Sequence, residues 1–154
     1  MKIVTGGQTG VDRAALDAAR ESRVAAGGWC PEGRLSEDGR IPDAYPVNEL
    51  VNAGYKERTR QNVIDSDGTA VIYFCNPTGG TKQTIDFCIQ EQKPYALIDA
   101  EVLTVEQAIN KIQKFIGLYT ISILNVAGPR TSEEPAAYAY ARKTIKGVLH
   151  AHIA

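Results

Sequence analysis

Short apolar runs alternate with longer stretches of mixed apolar and polar residues along the chain. Five of the runs have the length and composition of buried strands, at 2–5, 24–28, 69–74, 95–99 and 121–126. Five of the longer stretches predict helices, at 11–20, 56–64, 82–92, 104–116 and 133–149. The clearest is the fourth, whose apolar residues fall on one helical face and which Gly117 is placed to end.

This alternation predicts an α/β fold with a mostly parallel five-stranded sheet and helices on both faces. The length suits one domain that spans 1–154. We expect the strand order 2-1-3-4-5, with 3-2-1-4-5 as the alternative. Residues 29–54 break the pattern, because proline, glycine and charged residues recur throughout them. Such a segment is either a lid or binding loop, or disordered, and its apolar residues favour a binding loop.

Three of the predicted strands end in loops that carry glycine and threonine before a helix. Their sequences are GGQTG at 6–10, NPTGGT at 76–81 and AGPRTS at 127–132. Glycine lets backbone N–H groups approach a ligand, and the start of a helix favours negative charge. Ligands of open α/β sheets lie beyond the carboxyl ends of the strands. The loops therefore predict a site for a phosphate-bearing ligand, although a tight turn without any ligand would also need glycine.

Charged side chains next to these loops are candidates for ligand binding. Six arginines lie in or beside the loops, or on the helix before the third strand: Arg13, Arg34, Arg40, Arg58, Arg60 and Arg130. Arginine matches phosphate oxygens with two parallel hydrogen bonds. Asp12, at the start of the first helix, would repel an anion unless Arg13 or a Mg²⁺ ion compensates its charge.

The overall composition narrows the class of protein. The net charge is -1 and no long basic stretch is present, which argues against nucleic acids and anionic membranes as partners. No apolar run reaches transmembrane length. Cys30, Cys75 and Cys88 lack the spacing of a disulfide framework or a structural zinc site, so we expect a reducing, cytoplasmic location.

The chain resembles the molybdenum cofactor carrier proteins over most of its length. The segments that carry the resemblance are GGQTGVDRAALD at 6–17, GWCPEGR at 28–34, EDGRIP at 37–42, ERTRQNV at 57–63, SDGT at 66–69, GGT at 79–81 and GPR at 128–130. The resemblance implies a three-layer Rossmann-like fold of the class shared with the lysine-decarboxylase-like (LOG) proteins. It also implies a bound nucleotide or phosphorylated pterin (molybdopterin), and a homo-oligomer.

One position departs from the enzymes among these relatives, the nucleoside-monophosphate phosphoribohydrolases. They carry the motif Pro-Gly-Gly-x-Gly-Thr-x-x-Glu, whereas this chain reads PTGGTKQT at 77–84 and has Thr84 in place of the glutamate. A hydroxyl cannot act as a carboxylate base or stabilise an oxocarbenium ion in the same way. We therefore expect a carrier rather than an enzyme. The alternatives are a phosphoribohydrolase that uses another carboxylate, such as Asp12 or Glu133, and a nucleotide-sensing module.

The predicted site contains no catalytic residue and no metal ligand. The phosphate is expected on the first two glycine loops, neutralised by arginines, with the start of the long loop covering the ring of the ligand. The predicted binding residues are Gly6, Gly7, Gln8, Thr9, Gly10, Arg13, Trp29, Arg40, Arg58, Thr78, Gly79, Gly80, Thr81, Gly128 and Arg130.

Overall fold

A computed structural model of the chain describes the backbone of residues 1–153 and the side chains of residues 1–151. The strands are β1 (Lys2–Val4), β2 (Ala25–Gly27), β3 (Trp29–Cys30), β4 (Leu35–Ser36), β5 (Gly39–Arg40), β6 (Asn48–Glu49), β7 (Gly68–Tyr73), β8 (Tyr95–Asp99) and β9 (Ile123–Ala127). The helices are α1 (Val11–Glu21), α2 (Tyr55–Ile64), α3 (Gly79–Gln90), α4 (Val105–Tyr119) and α5 (Ala137–Ile153). Among these helices of the described residues, none is long and apolar enough to cross a membrane.

The main sheet has five parallel strands in the order β2-β1-β9-β7-β8. The α/β class is confirmed, but both predicted strand orders are wrong, because they place the last strand at an edge. Helix α4 instead carries the chain from the edge strand β8 back past β7, so that β9 pairs with β1 on one side and with β7 on the other. The loops after β1, β9 and β7 therefore lie next to one another.

Helices cover both faces of this sheet. Helix α5 packs against both α1 and α4, and their apolar side chains form the main core with Ile3, Ile72 and Leu124 of the sheet. On the opposite face α2 packs against α3, with Val63 and Phe87 buried between them and the sheet. The result is the three-layer, Rossmann-like arrangement expected from the sequence.

Residues 29–54 are more ordered than the predicted long loop. β3 pairs with β6 in parallel, and β4 forms a short antiparallel hairpin with β5. Cys30, Ile41 and Val47 are buried in a small core with Leu16 of α1. Arg34 also holds the segment together, because its guanidinium donates to the carbonyl oxygens of residues 41, 42, 45 and 47 at 2.8–3.0 Å.

Several helix ends differ from the prediction, and three of them concern residues of the predicted loops or caps. Helix α3 begins at Gly79, earlier than expected, so the glycine pair belongs to its first turn. Helix α4 continues through Gly117, which therefore does not end it; the left-handed residue after the helix is Thr120, with φ 52°. Helix α5 begins only at Ala137, because residues 130–134 form a turn of their own.

Candidate functional site

A cleft of about 310 Å³ lies beyond the carboxyl ends of the central strands. Its size is at the lower end of the range for small-molecule sites. Its lining comes from the loops after β1 and β9 and from the first turns of α1, α2 and α3. The lining residues are Gln8, Asp12, Tyr55, Arg58, Thr59, Gly79, Gly80, Thr81, Gln83, Thr84, Ala127, Gly128, Arg130 and Glu133.

The first turn of α3 forms one wall of this cleft. Thr78 precedes the helix with an extended backbone, and its carbonyl accepts from the N–H groups of Thr81 and Lys82. Within the described residues, the Thr78 side chain makes no capping hydrogen bond to the helix. The N–H groups of Gly79 and Gly80 precede the first intrahelical bonds, so they are free to bind an anion. No acidic residue occupies this turn.

The loop after β1 is different, because three of its backbone donors are satisfied inside the protein. The N–H of Gly7 donates to Thr5 Oγ1 at 3.1 Å, and that of Gln8 donates to Asp12 Oδ2 at 3.2 Å. The N–H of Thr9 donates to Gln8 Oε1 at 3.0 Å. The predicted phosphate cradle at 6–10 thus already contains an anion of the protein itself, the carboxylate of Asp12.

Asp12 and Arg58 form the most unusual charged pair of the cleft. Arg58 Nη1 lies 3.8 Å from Asp12 Oδ2, and both side chains are largely buried. Gly6 makes room for this arrangement, because a Cβ at that position would overlap the guanidinium. Burial raises the pKa of Asp12 to about 6, although Arg58 and the backbone of the loop after β1 act in the opposite direction. Arg58 Nε is buried and has no hydrogen-bond partner among the described residues.

Arg130 lies at the other end of the cleft between two carboxylates. Its Nε is 3.0 Å from Glu133 Oε1 and 3.4 Å from Glu37 Oε2. Glu37 reaches this place from the β4–β5 hairpin and also accepts hydrogen bonds from Thr9 and Ser132. Glu37 thus links the long segment to the loops after β1 and β9.

The circularly permutated YpsA SLOG family matches residues 3–149 of the chain. The chain belongs to this family. A solved structure titled "Putative molybdenum carrier protein" from Syntrophus aciditrophicus SB is 40% identical to it, with a TM-score of 0.94. The match covers 96% of this chain and 94% of that one. No curated protein matches the chain. The resemblance stated from the sequence is confirmed by these two matches.

Several of the predicted binding residues of this SLOG-family protein do line the cleft. They are Gln8, Arg58, Gly79, Gly80, Thr81, Gly128 and Arg130. Thr78 lies just outside it, in a smaller adjoining pocket. Gly128 permits the close approach of β9 and α1, since a Cβ there would overlap Val11 and the carbonyl of Ile72.

Other predicted residues have partners elsewhere. Arg13 binds both carboxylate oxygens of Asp38, at 2.6 and 2.8 Å, and so anchors the hairpin to α1. The indole N–H of Trp29 donates to Asp65 Oδ2 at 2.7 Å, at the end of α2, and Arg40 pairs with Asp43. The structure does not bring these three side chains to the cleft lining, because nearby carboxylates hold each of them.

The sequence analysis did not select Tyr55, Thr59 or Gln83, which all line the cleft. Tyr55 begins α2 and is partly exposed, and the guanidinium carbon of Arg58 lies 5.6 Å from the centre of its ring. The sequence signal for Tyr55 is that this aromatic residue directly follows Gly54 at the start of a predicted helix. The sequence analysis instead placed the start of the long loop, which contains Trp29, over the ring of the ligand.

Proposed function

We propose that this protein binds and carries a phosphorylated pterin or nucleotide-like ligand in the cleft. The observation that carries the proposal is the open first turn of α3, where the N–H groups of Gly79 and Gly80 adjoin the cleft lined by Arg58. A phosphate there accepts backbone hydrogen bonds, gains from the helix dipole and meets a buried cation.

The ring system of the ligand would lie against Tyr55. Its phenol ring is large, flat and partly exposed at the cleft, which suits stacking with a planar heterocycle. Tyr55 thereby takes the role that the sequence analysis gave to Trp29, whose indole is held by Asp65.

Molybdenum would enter this site only as part of the ligand. The name of the structural neighbour points to a molybdenum-containing cargo. The part of the chain that the structure describes contains no group of three or more His, Cys, Asp or Glu residues that could hold a metal ion. The donors around the cleft suit phosphate oxygens, so the organic part of the cofactor would hold the metal. Arg58 is a cation that lies beside Asp12, with Nη1 3.8 Å from Oδ2, and Mg²⁺ at this carboxylate stays a prediction of the sequence. A homo-oligomeric state and a cytoplasmic location stay predictions of the sequence.

Analysis of the small molecules that copurify with the protein tests this proposal. We expect denaturation of the purified protein to release a phosphate-containing pterin or nucleotide, detected by mass spectrometry. A Gly80→Val variant should release much less of it, because the added side chain would stand beside the free N–H groups. Retention of a ligand without phosphate, or equal amounts from both proteins, would contradict the proposal.

A phosphoribohydrolase is the second candidate function. It is favoured by the two carboxylates in the cleft lining, Asp12 and Glu133, of which Asp12 has a pKa near the neutral range. Thr84, at the position of the enzymes' glutamate, also lines the cleft, but its hydroxyl donates to the carbonyl of Gly80 at 3.0 Å. The same binding site would serve a nucleotide-sensing module.

A further inference from the structure

Three hydrogen-bond donors and one guanidinium surround the carboxylate of Glu37. The hydroxyls of Thr9 and Ser132 donate to it at 2.5 Å each, and the backbone N–H of Ser132 donates at 3.1 Å. Arg130 Nε lies 3.4 Å away. Two hydroxyls, a backbone N–H and a guanidinium are the groups that proteins use to bind phosphate or carboxylate anions.

The donors belong to parts of the chain other than the one that supplies the anion. Thr9 follows β1, while Arg130 and Ser132 follow β9, whereas Glu37 lies at the tip of a hairpin of two-residue strands. Thr9 is oriented for this role, since its hydroxyl oxygen also accepts from the backbone N–H of Thr131 at 3.1 Å. Thr9 and Arg130 are therefore held in place by interactions that do not involve Glu37, with Thr131 and Glu133 respectively.

This donor set adjoins the cleft, because Arg130 lines both. Arg130 already lies between Glu37 and Glu133, so a further anion beside them would face two negative charges. An anion that replaces the Glu37 carboxylate would face only Glu133 and would take over the hydrogen bonds of Glu37.

We propose that Thr9, Arg130 and Ser132 form a second anion subsite, which Glu37 fills in the free protein and which a second phosphoryl group of the ligand takes over. The subsite would favour diphosphate compounds over monophosphates. It rests on the proposed function for the first phosphate, at the start of α3. Binding of the second phosphoryl group would detach the β4–β5 hairpin from the loop after β9.

Titrations with inorganic pyrophosphate and inorganic phosphate test this subsite. Glu37→Gln keeps the shape of the side chain and one of its two acceptor oxygens but removes the competing charge. We expect the variant to bind pyrophosphate roughly tenfold more tightly than the wild type. The neutral side chain leaves the subsite more easily than the Glu37 carboxylate does, so more of the free protein can bind the second phosphoryl group. The matched control is Glu49→Gln, which makes the same charge change in the same segment, where Glu49 accepts from the backbone N–H of Gly33. This control should bind pyrophosphate as the wild type does.

Hydrogen exchange of the wild-type protein gives a second readout that needs no variant. Pyrophosphate should accelerate exchange in residues 35–40, because the hairpin loses its Glu37 contacts. Slower exchange there, unchanged or weaker pyrophosphate binding by Glu37→Gln, or no binding by either protein would overturn the subsite. Failure of the proposed function is distinguishable, since it would appear as equal affinity of the wild type and Gly80→Val for inorganic phosphate.

Discussion

Arg58 Nη1 lies 3.8 Å from Asp12 Oδ2, too far for a hydrogen bond, and the pair is largely buried in the lining of the cleft. The carboxylate is therefore only partly stabilised by its nearest cation, and burial raises its pKa from the ordinary 3.8 to about 6. The Nε of Arg58 is buried and has no hydrogen-bond partner among the described residues.

Asp12→Asn should stabilise the protein at neutral pH. Folding raises the pKa of Asp12, so the folded state binds more protons than the unfolded state between about pH 4 and 6. Above that range the charged carboxylate destabilises the folded state by roughly 3 kcal/mol. The variant should gain up to this amount in free energy of unfolding near pH 7, and the gain should vanish by about pH 4. Denaturant unfolding across this range measures it.

Asp38→Asn is the control for this prediction, because it should change the free energy of unfolding in the opposite direction. The hydrogen bonds from Arg13 lower the pKa of Asp38 to about 2, so its contribution to stability is present above about pH 4 and is lost as the pH falls through 2. This variant should lose stability at neutral pH and match the wild type at the acid end. A gain at neutral pH in both variants, or in neither, would contradict the electrostatic account.

Much of the fold followed from the sequence, while the neighbours of each strand did not. Apolar runs and glycine loops are local signals, so the strands and helices of the main sheet were predicted close to their observed positions, and a cleft lies at the predicted edge of the sheet. The pairing of β9 with β1 depends on how α4 crosses the sheet, which no strand pattern encodes. The hydrogen bond of Trp29 could not be predicted from local patterns either, because its partner Asp65 lies 36 positions away. Arg13 was assigned to a ligand because it lies beside the first glycine loop, whereas its observed partner Asp38 lies 25 positions away.

Arg58→Ala should weaken binding of a nucleoside monophosphate by about 1.5–3 kcal/mol, the range for hydrogen bonds to charged groups. Arg60→Ala is the matched control, since it removes the same side chain from the same helix, where Arg60 is exposed and pairs with Glu91. It should change affinity by less than about 0.5 kcal/mol. Calorimetric titration of the folded variants compares them, and equal losses would place the phosphate away from Arg58.

Arg34→Lys should loosen residues 29–54. The flat guanidinium of Arg34 reaches four backbone carbonyls at once, and an ammonium group has neither the shape nor the number of fixed donors to replace it. We expect a loss of about 1.5–3 kcal/mol in free energy of unfolding and faster proteolysis within the segment. Arg40→Lys, at an exposed position paired with Asp43, should behave as the wild type. Equal resistance of the two variants to protease would show that Arg34 does not hold the segment.

The protein should release no free base from nucleoside monophosphates, because Thr84 offers a hydroxyl where the related enzymes have glutamate. Chromatography of a panel of purine and pyrimidine monophosphates after incubation measures this. Turnover of roughly one per second or faster would instead establish an enzyme. Asp12→Asn and Glu133→Gln would then identify the acid that replaces the glutamate.

The central claim is that a phosphate binds at the first turn of α3, and Gly80→Val tests it most directly. A Cβ at Gly80 would meet no atom of the described residues within 4 Å, so the variant should fold while its side chain blocks the N–H groups. Gly117→Val, at an equally open position of α4, is the matched control. Calorimetric titration with AMP and GMP should show affinity lowered about tenfold or more in Gly80→Val and unchanged in Gly117→Val. Affinity equal to that of the wild type in both variants would contradict the claim.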